Sequence, residues 1–128
     1  MYADGASRGN PGPASIGVVV KDSNGTVLAT IGERIGKTTN NQAEYRALIA
    51  GLREAANLGA NEVEVRLDSE LLVRQILGVY KVRNAALRDL YLDAARLLYG
   101  FASSRILHIP RTENREADAL ANSALDSN

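Results

Sequence analysis

The chain has 128 residues, 45% of them hydrophobic and 23% charged, with fifteen Lys and Arg against fifteen Asp and Glu and no cysteine. This is ordinary usage for one globular domain over residues 1–128, long enough to bury roughly two thirds of its unfolded surface; it excludes disulfides, thiolate nucleophiles and Cys-based zinc sites, so a metal would be held by oxygen or by His108. No apolar run approaches the ~18 residues of a membrane span and no secretory pattern opens the chain, so a cytoplasmic protein without membrane contact is expected. Zero net charge argues mildly against a nucleic-acid partner, although bound cations could neutralise acids locally and leave basic residues free to face phosphates.

In chain order, Met1 to Asp4 reads as a strand of only four residues, a stub or the end of a strand begun earlier, closed by an Asp4-Gly5 turn and followed by a Gly- and Pro-rich loop to Pro13. Ser15 to Lys21 is short, apolar and rich in Val, and the turn signal Asn24-Gly25 joins it to a second strand, Thr26 to Ile35. The stretch Asn40 to Leu58 places Leu48, Gly51, Leu52, Ala55 and Leu58 at helical spacing, with Gly59 where a C-terminal cap belongs. Glu62 to Asp68 alternates polar and apolar residues as a strand does, and leads into a short helix, Ser69 to Leu77. A basic connection, Gly78 to Asn84, precedes a helix rich in Leu and Ala, Ala85 to Tyr99. The last strand lies within Ser103 to Pro110, and Asn114 is placed to cap a final helix whose apolar face carries Ala117, Leu120, Ala121, Ala124 and Leu125. Strands first, then strands alternating with helices, predict a mixed sheet with helices packed on it.

Four acids occupy places that packing does not require. Glu44 shares a helical face with Leu48, Gly51, Ala55 and Leu58. Asp68 ends an alternating strand, where side chains are presented at the carboxyl edge of a sheet. Asp118 flanks the apolar stripe of the last helix, and Asp4 closes the first strand. Each has a bland explanation: helix-dipole compensation for Glu44 and Asp118, capping for Asp68 beside Ser69, a turn for Asp4. Together they could converge on one sheet edge, where four carboxylates cannot all stay ionised without cations between them. An oxygen-only donor set suits Mg²⁺ or Mn²⁺, and a pair of such ions is the clamp used in phosphodiester hydrolysis.

These residues fall into four blocks: Asp4-Gly5-Ala6-Ser7-Arg8-Gly9-Asn10-Pro11-Gly12-Pro13, Thr39-Asn40-Asn41-Gln42-Ala43-Glu44, Leu67-Asp68-Ser69, and Asn114-Arg115-Glu116-Ala117-Asp118. In that order the chain resembles ribonuclease H of type 1 over nearly its whole length. The resemblance implies an α/β, ribonuclease H-like fold: a five-stranded mixed sheet, three antiparallel strands followed by two parallel ones, flanked by helices. It implies that Asp4, Glu44, Asp68 and Asp118 are catalytic acids binding two Mg²⁺ or Mn²⁺ ions. The implied reaction cuts the RNA strand of RNA/DNA hybrids endonucleolytically and leaves 5′-phosphate and 3′-hydroxyl ends.

By the same similarity, Asn10, Asn41 and Gln42 meet the minor groove or backbone of the hybrid, which suits amides that both donate and accept. Thr39 and Asn84 resemble the pair that holds a DNA-strand phosphate, with Lys81 and Arg83 nearby; Asn40 or Asn41 could instead cap the helix. Many bacterial members carry an extra basic helix after the third helix. Gly78 to Asn84 is too short to contain it, so weaker and more salt-sensitive binding is expected. Arg111, in the loop after the last strand, is the expected auxiliary residue beside the last acid, because His108 has strand-like neighbours. The shortened pattern is shared with relatives that also act on double-stranded RNA, which leaves that duplex open as a second substrate. A monomer is expected. The alternatives are a non-catalytic hybrid-binding module and a nucleotide phosphotransferase; the latter is disfavoured because Gly5 to Gly12 lacks the Gly-Lys-Ser/Thr ending of a phosphate-binding loop.

Overall fold

In the computed structural model, which describes residues 1–127, the Val-rich run becomes the ten-residue strand β2 (Gly12–Lys21), buried along nearly its whole length. Such continuous burial needs cover on both faces. A side chain at Gly17 would meet the C-terminal helix, whereas Val18, the next residue, lies against the long central helix at Gly51. β2 pairs antiparallel with β1 (Tyr2–Ser7) on one side and with β3 (Val27–Thr38) on the other. Residues 22–26 make the hairpin loop: the Asp22 carboxylate accepts from the backbone N–H groups of Asn24 and Thr26, both at 2.9 Å, and Gly25 takes the positive φ of 85° that its turn requires.

Two further strands, β4 (Glu62–Leu67) and β5 (Ser103–His108), run parallel to each other along their whole length. The strand order is β3-β2-β1-β4-β5, the mixed five-stranded sheet expected from the resemblance. Four helices flank it: α1 (Asn40–Asn57), α2 (Glu70–Ile76), α3 (Ala85–Tyr99) and α4 (Arg115–Asp126).

The first strand departs from the sequence reading. It has six residues rather than four, and the Asp4-Gly5 pair continues it instead of turning. Residues 4–7 are held by a ladder to residues 14–17 of β2, the next strand in the chain, a pairing that their own composition does not reveal. The reversal falls on residues 8–11 and is closed by the Arg8 N–H on the Pro13 carbonyl at 2.9 Å. β2 starts at Gly12, inside the expected loop, and β3 runs on to Thr38; Leu58 also departs, lying exposed beyond the end of α1, so the buried stripe of that helix ends at Ala55.

The core lies between α1 and the sheet and includes Val18, Leu48, Leu52, Val65 and Leu67. One polar pair crosses it. The buried Tyr45 hydroxyl donates to Gln75 Oε1 at 2.7 Å, tying α1 to α2. On the opposite face α4 sits so close to β2 that a Cβ on Gly17 would lie 1.9 Å from the Ala117 carbonyl oxygen.

Two substitutions test this packing in urea unfolding. Gly17→Ala must push α4 off the sheet and is expected to cost at least ~1–3 kcal/mol. Tyr45→Phe leaves Gln75 Oε1 buried without a donor, for an expected loss of ~1–3 kcal/mol; unchanged stability in either variant would contradict the corresponding contact.

Candidate active site

Parallel pairing between β1 and β4 consists of Tyr2 with Arg66 and Ala3 with Leu67, after which β4 ends while β1 continues. The next residue of each chain segment is an acid, Asp4 and Asp68, and the register therefore sets the two side by side. Asp68 is not the cap of α2. Ser69 takes that role, its Oγ accepting from the Leu72 N–H at 3.2 Å, so the Asp68 carboxylate is not spent on the cap.

The third acid arrives because Gly5 has no side chain. A Cβ there would lie 2.3 Å from the Ala43 carbonyl carbon and 2.4 Å from the Glu44 nitrogen, so the first turn of α1 rests directly on the β1 backbone. The Gly5 N–H lies on the side of β1 that β4 no longer covers, and it donates to Glu44 Oε1 at 2.8 Å. Asp4, Glu44 and Asp68 each offer an oxygen, all within 4.8 Å of one another. Asp118, on the first turns of α4, lines the same cleft of about 460 Å³ and lies within hydrogen-bonding reach of Asp4, but stands outside this tight group.

Burial, and then the charge of Glu44, push the Asp4 carboxyl well above the usual carboxylate range; Asp68 and Asp118 act in the same direction. Glu44 is raised by its own burial, partly opposed by hydrogen bonds from Asp4 and the Gly5 N–H. Two guanidinium groups line the cleft. Arg8 is tied to Asp126, and Arg111, 83% exposed, lies 3.9 Å from Asp118 Oδ1. Crowded carboxylates with oxygen as the only donor atom fit a hard divalent ion such as Mg²⁺ or Mn²⁺.

The remaining expected residues divide between the rim and the surface beyond it. Asn10 accepts from the Asn40 N–H at 3.0 Å, fixing the turn after β1 against the start of α1, and Asn41 is exposed on the wall of the cleft. Gln42 accepts from the Thr38 hydroxyl. Helix capping falls to Thr39, whose Oγ1 accepts from the Gln42 N–H at 3.2 Å, and not to Asn40 or Asn41. Asn84 caps α3 in the same way, through the Leu87 N–H at 3.1 Å. Lys81 and Arg83 are exposed in the connection before it, and His108 is exposed at the end of β5; none of the three lines the cleft.

Asn114 is the principal correction. It stands at the start of α4, with φ of −114° and ψ of 27°, but makes no side-chain cap. Its Nδ2 donates to the Ala3 carbonyl at 3.0 Å and to Asp68 Oδ2 at 3.3 Å. Asn122, also on the cleft wall, was missed, although its place four residues after Asp118 puts both on one helical face.

Residues 2–124 match the reverse transcriptase-like family. Ribonuclease HI of Halobacterium salinarum is 50% identical over 125 residues, covering 98% of this chain and 63% of that protein, so the chain spans somewhat under two thirds of that relative's length. The crystal structure of RNase H1 from Halobacterium salinarum superposes with a TM-score of 0.96 at 50% identity, covering 98% of this chain and 95% of that one. LC11-RNase H1, crystallised in complex with an RNA/DNA hybrid, superposes with a TM-score of 0.92 at 46% identity, covering 98% of this chain and 94% of that one. With a matching fold over almost its entire length, the chain belongs to the type 1 ribonuclease H branch of the reverse transcriptase-like family.

Proposed function

We propose that this chain is a metal-dependent endoribonuclease that hydrolyses the RNA strand of RNA/DNA hybrids to 5′-phosphate and 3′-hydroxyl ends, working as a cytoplasmic monomer. The observation that carries the reading is the group formed by Asp4, Glu44 and Asp68, with oxygens within 4.8 Å of one another, in a chain half identical to a ribonuclease HI. Asp4, Glu44, Asp68 and Asp118 would hold two Mg²⁺ or Mn²⁺ ions. Such ions, when bound, supply the charge that activates water and stabilises the departing 3′ oxygen.

The chain's own work is placement. The Gly5 N–H fixes Glu44 before any ligand arrives, and Ser69 frees Asp68 by taking over the cap. Arg111, exposed beside Asp118, is available to the phosphate at the mouth of the cleft. Asn10, Asn41 and Gln42 are assigned to the minor groove, where a 2′-hydroxyl that donates and accepts distinguishes RNA from DNA. Thr39 and Asn84 are assigned to a phosphate of the DNA strand. Both use a side-chain oxygen as acceptor for a helix cap, which leaves the Thr39 hydroxyl proton and the Asn84 amide N–H groups free to donate outward. Lys81 and Arg83 add positive charge nearby.

One labelled sequence, presented as RNA/DNA, RNA/RNA, DNA/DNA and single-stranded RNA with Mg²⁺, Mn²⁺ or chelator, tests the reading. Cleavage of RNA/DNA that depends on metal is expected, and the RNA/RNA arm decides whether any A-like duplex suffices. Cleavage of DNA/DNA, or activity that survives the chelator, would overturn it. Asp4→Asn is expected to lose more activity than the ~10–100-fold typical of an outer-shell partner, while still binding the hybrid.

The same substitution has a second, opposite effect on the metal-free fold. Because the Asp4 pKa is raised above its ordinary 3.8, the folded chain holds a proton that the unfolded chain releases once pH passes that value. Stability contributed by Asp4 is therefore full at low pH and declines as pH rises above 3.8, until Asp4 ionises in the fold as well. In chelator at about pH 8, Asp4→Asn is expected to melt higher than the parent chain and to show a shallower loss of stability with pH. Equal slopes in the two proteins would count against the buried acid.

A further inference from the structure

Asn114 performs a task that neither capping nor core packing requires. Its side chain is 1% exposed, and both atoms facing it, the Ala3 carbonyl and Asp68 Oδ2, are acceptors. The amide nitrogen must therefore point at them, which turns Oδ1 the other way. Among the described residues, that Oδ1 is the buried side-chain polar atom left with no hydrogen-bond partner. An orphaned acceptor is unfavourable, and a side chain selected only to fill space would avoid it. What the arrangement secures is a neutral, short group with two N–H donors, reaching both strand ends at once. An ionised Asp has no donor, and a Ser has only one.

The two contacts lie where β1 and β4 part. Ala3 immediately precedes Asp4, and Asp68 immediately follows the last paired residue of β4. The Asn114 backbone carbonyl also accepts from the Asp118 N–H at 3.1 Å. One residue thus sets the relative positions of three of the four acids: Asp4 through its neighbour, Asp68 through its carboxylate, Asp118 through the first turn of α4.

We propose that Asn114 is a positioning residue of the metal site. Its amide clamps the ends of β1 and β4 at a fixed separation and engages Asp68 Oδ2, leaving Oδ1 of that carboxylate for the cation. The inference rests on the proposed function, because it takes the acids as metal ligands. Asn114 touches neither substrate nor reacting atoms; it acts through Asp68 and Asp4, as the partners of ligating carboxylates do.

Asn114→Ala and Asn114→Ser, the second keeping one donor, are compared with the parent chain and with Ser15→Ala. Ser15 is a control of similar depth: its buried hydroxyl ties β2 to α4 through the Ala121 carbonyl and bonds to no acid. Titration calorimetry of Mn²⁺ into metal-stripped protein, thermal melting in chelator, hybrid affinity in chelator and cleavage against Mn²⁺ concentration are measured for all four. Expected is an about 10–100-fold loss of Mn²⁺ affinity in Asn114→Ala, a smaller loss in Asn114→Ser, and a parallel rise in the Mn²⁺ needed for half-maximal cleavage. Hybrid affinity in chelator stays at the parent value. Ser15→Ala melts lower but keeps the parent metal curve. Should Asn114→Ala fail to fold, Asn114→Ser decides. Variants of Asn114 that melt lower yet bind Mn²⁺ like the parent would reduce the residue to a structural tie and overturn this inference alone. A parent chain that neither binds Mn²⁺ nor cleaves the hybrid would overturn both this and the functional reading.

Discussion

The cleft depends on β1 outlasting its parallel neighbour. Within a sheet, the backbone N–H and C=O groups on each side of a strand are matched by the next strand, and little room remains for anything else. Beyond Ala3 and Leu67 that match ends, because β4 turns into α2 while β1 runs on to Ser7 along β2. The exposed edge of β1 has to be satisfied by groups that are not a strand. Glu44 takes the Gly5 N–H and Asn114 supplies a donor to the Ala3 carbonyl. Thus the groups that close the backbone account at this notch are the same groups that bring an acid from α1, and the start of α4, up to the two acids at the strand ends.

The notch is electrostatically unfavourable as it stands, and the rest of the fold carries that cost. Burial first, and then the charge of neighbouring acids, favours protonation over ionisation of Asp4 and Glu44, whose oxygens lie with that of Asp68 within 4.8 Å of one another. Opposing this are the two-sided burial of β2, the α1 core around Leu48 and Leu52, and the close seating of α4 on Gly17. Rigidity in those layers keeps the carboxylates from moving apart to relieve their repulsion, and a site held against its own repulsion is one that a cation stabilises.

Periodicity made most elements legible. α3 was read with its observed ends, the hairpin at Asn24-Gly25 was marked by its turn residues, and Asp68 followed from the alternation of β4. What stayed hidden were features fixed by partners outside their own segment. The residues Asp4-Gly5-Ala6-Ser7 are small or polar and have no strand-like pattern; they are extended because β2 pairs with them. Gly5 read as loop flexibility, whereas its role is to let a helix backbone approach. Asn114 read as a cap because it stands where a cap stands, and only the ends of β1 and β4, far away in sequence, turn its amide inward. Capping of α1 was placed one or two residues too late, at Asn40 or Asn41 instead of Thr39, because several neighbouring polar residues have a helix N–H within local reach; beside Asp68, Ser69 was already an alternative.

Neutrality over the whole chain is compatible with a polyanionic partner, because what matters is where charges find partners. Many surface cations are matched by acids: Lys21 with Glu116, Arg66 with Glu64, Arg74 with Glu70 and Arg96 with Asp93. The acids of the cleft are different. They are crowded among themselves, and Arg111, largely exposed, stands 3.9 Å from Asp118. A divalent ion bound there would reverse the sign of the local field without any surplus of Lys or Arg. At Thr39, Asn84 and Asn10, neutral side chains are fixed in direction by the backbone N–H groups they accept from. A neutral polar group fixed in this way acts through geometry more than through charge.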